Sequence, residues 1–256
     1  MAASQLALAR GARCIAAAVV LAIGIPASAP AQTREPRVFV TAGGGVQTGG
    51  TALTDRLEWQ EHVETATATV DYAGGSGQWL GGGIGIRLWR QFGVGLALSN
   101  ASQSGAASVQ AQIPHPFHFD RRRGIEGTTG DLTRTETGLH AQLLYVLPAA
   151  GRIRLILSAG PSRIETTQDV VTAIRFTEEY PFDTAVFQRA DTRALSASAV
   201  GFNVGADAAF MFHRSFGVAG IARFTRATMD LVRPDGGRVS VEAGGFQAGA
   251  GLRLAF

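Results

Sequence analysis

The stretch QAGAGLRLAF, residues 247–256, alternates one residue at a time. Phe256, Leu254, Leu252, Ala250, Ala248 and, one step further back, Phe246 make one apolar or small row. Ala255, Arg253, Gly251, Gly249, Gln247 and Gly245 make the other. A period of two is that of a β-strand, whose successive side chains point to opposite faces. Chain ends fray unless something ties them down. The pattern therefore predicts that this end is paired into a sheet with one apolar face.

The same alternation recurs along the chain. Eight segments carry it, at roughly 37–48, 79–90, 92–104, 133–147, 152–167, 197–213, 215–231 and 239–256. The sixth is the clearest, with Val200, Phe202, Val204, Ala206, Ala208, Phe210 and Phe212 against Gly201, Asn203, Gly205, Asp207, Ala209, Met211 and His213. Each segment exceeds the ~9–11 residues that a tilted strand needs to cross a bilayer. No later segment has the ~18 consecutive apolar residues of a spanning helix.

The connections suggest the topology. WRQFG (89–93), LPAAGR (147–152) and FHRSF (212–216) are tight turns, whereas 49–78, 105–132 and 168–196 are long links and RPDGGR (233–238) is shorter. Turns and outer links alternate strictly, which is the asymmetry of a transmembrane barrel. An even number of strands also closes the sheet without a bare edge, as lipid demands. The segment EHVETATATVDY (61–72) alternates too. As a ninth membrane strand it would put the C-terminus on the wrong side, so it is expected as a strand-like extension above the membrane. A ten-stranded barrel would need a further strand within 168–196.

The N-terminus reads as an address. Arg10 and Arg13 precede the apolar run CIAAAVVLAIGI and then PASAPAQ. This is the layout of a secretory signal peptide, residues 1–31, with cleavage expected after Ala31 and a barrel domain over 32–256. Cys14, the only cysteine, would leave with it. The remaining chain is then thiol-free, which excludes disulfides and cysteine catalysis. All 23 basic residues are arginine and the net charge is only +3. The arginines are scattered rather than gathered into a patch, which argues against a nucleic-acid partner.

Alternation does not say which row faces out. Two features favour an apolar row facing lipid. The other row is rich in glycine (Gly81, Gly83, Gly85, Gly201, Gly205, Gly249, Gly251), which leaves room for large neighbours in a narrow lumen. Aromatics gather near the tight turns: Trp89, Phe92, Tyr145, Phe210, Phe212, Phe216 and Phe256. Rings at that level suit a membrane interface. The expected fold is thus an all-β, closed, antiparallel up-and-down transmembrane barrel of eight strands. Its lumen would hold a polar network of Arg87, Arg134, Glu136, His140, Arg154, Asp207, Arg223 and Arg253. Arginines outnumber carboxylates in that set, so water or loop carboxylates must help to balance it.

With its signal peptide, eight alternating segments and terminal GLRLAF, the chain resembles the small bacterial outer-membrane β-barrel proteins, the OmpA-like and OmpX-like group. The resemblance covers 37–256. It implies that Leu252, Leu254 and Phe256 form the signal read by the barrel-assembly machinery. The protein is expected as a monomer in the outer membrane, in contact with its lipid and lipopolysaccharide and with no cofactor; since the chain stops with the barrel, no downstream peptidoglycan-binding domain is expected either.

Catalysis finds little support. A hydrolase needs a nucleophile, a base and an orienting acid together. Glu136 and His140 are four residues apart on one strand, roughly 13 Å, and His213 with Ser215 lacks a nearby acid. In the loop IPHPFHFDRRRG (113–124), His115, His118 and Asp120 lack a recognisable metal-site spacing. The first expectation there is a folded loop with its prolines as rigid corners; the functional alternative is that Phe117 and Phe119 with Arg121, Arg122 and Arg123 meet anionic lipopolysaccharide or another surface partner. The expected role is structural or surface-interacting. A narrow channel for small or hydrophobic molecules is the alternative, and a lipid-modifying enzyme a more distant one.

Overall fold

A computed structural model describes residues 36–49, 53–148, 151–233 and 236–256. The expected signal segment 1–31 lies outside the described residues. The alternating segments form ten strands: β1 Val38–Thr48, β2 Leu53–Glu61, β3 Glu64–Tyr72, β4 Ser76–Trp89, β5 Phe92–Pro114, β6 Arg122–Leu147, β7 Ile153–Glu178, β8 Ala185–His213, β9 Phe216–Val232 and β10 Arg238–Ala255. Eight of them make a closed antiparallel ring, β5-β4-β1-β10-β9-β8-β7-β6, with β6 returning to β5. The end of the chain is indeed tied down. β10 pairs with β1 from Phe39↔Ala255 to Thr48↔Phe246, and the Phe256 N–H donates to the Val38 carbonyl at 2.8 Å.

The two strands outside the ring form a hairpin. β2 and β3 turn at His62 and Val63, both at positive φ. β3 pairs with β5 from Thr67↔Gln112 to Tyr72↔Ala107, on the same edge of β5 that β4 uses from Gln78↔Ser102 downward. Both run antiparallel to β5, so β3 lies above β4 and β2 continues the direction of β1. Residues 64–72 are therefore the expected extension. The region 168–196 holds no additional strand, only prolongations of β7 and β8.

The long outer links are the main correction. Residues 105–114, 122–132, 168–178 and 185–196 are strand. They escape the pattern because the apolar row changes sides. On β5, Val94, Leu96 and Leu98 face outward and are exposed, whereas higher up the same outward row reads Asn100, Ser102, Ser104, Ser108, Gln110 and Gln112. The inward row meanwhile passes from Gly95 and Ala97 to Val109 and Ile113, both nearly inaccessible. β9 does the same, from outward Val218 and Phe224 to inward Met229 and Leu231.

The ladders of the ring stop at comparable heights: β6–β7 at Arg134↔Gln168, β8–β9 at Phe202↔Arg226 and β1–β10 at Thr48↔Phe246. Above them the wall divides into three pieces: the sheet β2-β3-β5-β6, the hairpin β7-β8 and the hairpin β9-β10. All three close on one apolar core, to which Leu57, Val70, Val109, Ile125, Val170, Leu195, Leu231 and Val241 contribute. This upper storey is built like a soluble domain.

The lower storey has an apolar exterior bounded by aromatics. At the short-turn end, Phe92 and Tyr145 lie 5.2 Å apart between centroids, Phe210 and Phe212 5.3 Å, and Phe212 and Phe216 6.2 Å. A second row, Phe202, Phe224 and Phe246, marks the other edge of the band, with Phe202 and Phe224 at 6.1 Å. About eight residues separate the rows along β8 and β9, roughly 27 Å of strand and about 20 Å of height at barrel tilt. That is close to the ~25 Å apolar band of outer-membrane barrels.

Candidate functional site

The lumen of the lower ring collects the inward residues expected from the sequence, but as separate centres rather than one network. In the upper centre, Glu136 accepts from Arg134 Nε at 2.8 Å, from Gln47 Nε2 at 2.8 Å and from the Gly244 N–H at 3.0 Å. Gly244 has φ +98°, a left-handed conformation that glycine adopts without strain. It lets the β10 backbone turn a donor into the lumen where the two storeys meet. Gln247 adds a bond to Gln47 at 2.7 Å, and Arg134 reaches Gln168 at 3.3 Å. The Arg134–Glu136 pair is buried and well satisfied, which is the condition for tolerating charge away from water.

His140 forms the second centre. It is 1% exposed and lies between two hydroxyls, Ser99 Oγ at 2.9 Å from Nε2 and Ser162 Oγ at 2.7 Å from Nδ1. Asn203 donates to Ser162 Oγ at 2.9 Å and accepts from Gln142 at 3.0 Å. No carboxylate touches the ring among these partners. The arrangement fastens three strands together and offers no orienting acid for a nucleophile.

The third centre is at the short-turn end. Arg253 donates to Thr41 Oγ1 from Nε at 3.0 Å and from Nη2 at 2.8 Å, and Nη2 also pairs with Asp207. Its guanidinium lies 4.7 Å from the centre of the Phe39 ring. Gly85 makes that ring's place, because a Cβ there would sit 2.1 Å from Phe39 Cζ. Arg223 lines the same cavity as Asp207 and Arg253. Arg87 and Arg154 are at the mouth below, beside Phe39 and Arg253.

The lumen network expected from the sequence held the charged members of these centres but not Thr41, Gln47, Ser99, Ser162, Gln168 or Gln247. All of them are buried and belong to the inward rows of their strands. Extending each row by parity would have found them.

The upper storey carries a second candidate site, at its tip. Phe117, Phe119 and Tyr180 are exposed, and Phe117 and Tyr180 meet Phe182 edge-on at 5.5 and 6.1 Å. Arg121 pairs with Asp183 at 2.7 Å. Arg123, grouped with it in the sequence reading, is not a surface residue. It is 5% exposed, and it bonds the Pro114 and Phe182 carbonyls and Glu178 at 3.1 Å, clipping β6 to the β7-β8 hairpin. Burial works to raise the Glu178 carboxyl, but the hydrogen bond and charge of Arg123 outweigh it and hold the group below its usual range. On the other side Arg233 clips β2 through Asp55, at 2.8 and 2.7 Å. Between them the Tyr72 hydroxyl accepts from the Val171 N–H at 2.8 Å, and burial pushes its pKa up to about 12.

His115 is buried, and its Nδ1 accepts the Phe117 N–H at 3.1 Å. The neutral ring must then carry its proton on Nε2, which leaves neither nitrogen open to a metal. Burial and the neighbouring His118, Arg121 and Arg123 keep its pKa below the ordinary value. Among the described residues no group of three or more His, Cys, Asp or Glu is placed to hold a metal.

An apolar belt between aromatic rows, around a closed ring with a polar lumen, defines a transmembrane β-barrel. The chain belongs to the Outer membrane protein beta-barrel domain family, whose model matches residues 15–253. No curated protein matches it. Among solved structures it is similar to the outer membrane protease OmpT from Escherichia coli, at 12% identity and TM-score 0.51 over 87% of this chain and 97% of that one. It is also similar to OprG from Pseudomonas aeruginosa, at 10% identity and TM-score 0.49 over 87% and 97%. Neisserial surface protein A is another similar structure, at 11% identity and TM-score 0.42 over 86% and 97%.

Proposed function

We propose that this protein is a non-conducting, non-catalytic outer-membrane barrel that holds a folded β-tower above the membrane and offers its tip to a surface partner. The observation that carries this reading is the apolar core of the upper storey. Val70, Val109, Ile113, Val170, Val171 and Leu231, each at most 1% exposed, fill the space directly above the lumen. A conduit would have to dissolve that core. The tip, with exposed Phe117, Phe119 and Tyr180 beside Arg121, has the aromatic and arginine character of interaction surfaces. It stands about 15 residues of strand above the apolar band, roughly 40 Å at barrel tilt, beyond the headgroups of its own leaflet.

Lipopolysaccharide in this reading meets the lower part of the tower, where Arg163 and the Arg226–Glu242 pair face outward above Phe202, Phe224 and Phe246. Leu252, Leu254 and Phe256 remain the segment proposed for the barrel-assembly machinery, and the barrel is taken as a monomer. Planar-bilayer recording of the purified barrel tests the reading. It predicts a silent membrane at every voltage at which the protein stays folded. Regular conductance steps from the native chain would overturn it in favour of a channel.

A further inference from the structure

We infer that the lower lumen contains a binding site for one small monovalent anion, of the halide class, between Arg223 and Arg253. The cavity there has a volume of about 60 Å³, several times the roughly 10–15 Å³ that one water requires. Arg253 is 2% exposed. Its Nε and Nη2 are engaged, but Nη1 is buried without a partner, and so is Nη1 of Arg223. Both side chains line this cavity. The one carboxylate on its wall, Asp207, spends Oδ2 on Arg253, and its Oδ1 is also without a hydrogen bond.

The charge does not balance. Two guanidiniums face one carboxylate, and arginine cannot shed its proton to relieve the excess. The carboxylate of the upper centre, Glu136, is fully committed to Arg134, Gln47 and Gly244. An uncompensated charge in a membrane-spanning lumen is costly. Water alone satisfies the open donors but leaves the excess positive charge, whereas a single halide answers both. The Thr41 and Ser158 hydroxyls, which accept from Arg253 and Gln142, line the same cavity and have their O–H groups left to donate to the anion or its remaining water. Access is from the short-turn side, past Arg87 and Arg154, because the tower core closes the other end. The site is a blind pocket, not a stage in a pore.

The test uses the full refolded barrel in detergent, with chloride titrated against gluconate at constant ionic strength. The readout is the temperature at which the compact, heat-modifiable band is lost. The native protein should show a saturable rise, about 4 °C at ten times the dissociation constant. Asp207→Asn, which adds to the excess charge, should bind chloride at least tenfold more tightly. Arg223→Gln, which removes the excess, should show no chloride dependence. If Arg223→Gln fails to fold, the Asp207→Asn shift and bromide diffraction decide. An anomalous bromide peak within hydrogen-bond distance of both Nη1 atoms supports the site. Equal chloride responses in native protein and Asp207→Asn, or a cavity holding water alone in bromide, overturn it. A bromide peak without any saturable stabilisation also overturns it, as an adventitious ion only.

Discussion

The lower ring and the upper tower are made from the same strands with opposite rules. Below, β5 shows lipid Leu96 and Leu98 and turns Gly95, Ala97 and Ser99 inward; above, it shows water Ser108, Gln110 and Gln112 and turns Val109 and Ile113 inward. Along β5 the alternation runs on unbroken, and only the solvent outside it changes. In hydrocarbon the wall must be apolar and every backbone group must find a partner. The ring closes on itself, and where Pro161 opens the β6–β7 ladder opposite Ala141, the Asn203 amide donates to the Gly160 and Pro161 carbonyls at 2.9 and 3.2 Å. In water the ladders may end, and they do. The wall splits into three pieces and the apolar effect pulls them onto a common core. Charge follows the same division. In the ring, ion pairs are interior, as with Arg134–Glu136 and Arg253–Asp207; in the tower, Arg123 and Arg233 join one piece to another.

That contrast can be broken most sharply at Val109, where it predicts the largest effect. Val109→Asp places an unpaired carboxylate among residues of the tower core, at a cost of about 4 kcal/mol or more. The tower should become protease-sensitive while the compact, heat-modifiable form of the ring survives. Simultaneous loss of both would mean that the storeys fold as one unit. A smaller effect comes from one substitution type on the outward row of β5. Leu96→Arg, within the apolar belt, should cost about 2–4 kcal/mol in urea unfolding from lipid, whereas Gln110→Arg, on the same face of the tower, should stay within about 0.5 kcal/mol. Equal costs would abolish the boundary drawn between them.

A loss at the lower end of that expected for Leu96→Arg concerns the clip. Arg123→Gln should loosen the β7-β8 hairpin by about 2 kcal/mol, read as faster proteolysis near Tyr180 with ring unfolding unchanged. The native clip should also weaken in acid. Glu178 is held below its ordinary value of 4.5, so its contribution is complete above that value and is lost as the pH falls through its depressed one. Arg123→Gln should show much less of this acid step.

The ring was legible because each of its strands repeats a long apolar row interrupted only by glycine or small residues, as Phe246 to Phe256 illustrates. The tower was half hidden. Its inward rows use alanine beside valine, as in Ala107, Val109 and Ala111, and its outward rows use serine, threonine and glutamine, so the contrast between faces is weak. Strand β3 stood out because ETATATVDY alternates cleanly. The lumen charges were readable from parity, but not who meets whom. Arg253 finds Asp207 across 46 residues and Arg233 finds Asp55 across 178, and no local spacing encodes such distances. Arg123 misled because three consecutive arginines look like a surface; in a strand the middle of such a run must face away from its neighbours, and here Arg123 rather than Arg122 turns inward.

The pairing of β1 with β10 joins positions as far apart as Phe39 and Ala255. Hairpins such as β7–β8 can form from neighbouring chain, but this last seam waits for the whole sequence, the slowest kind of contact to make. Until it forms, β1 and β10 each present a raw edge that hydrocarbon will not accept. Insertion and closure are for that reason a single event, and a chain cut short of its final strand is not a smaller barrel but an aggregation-prone open sheet.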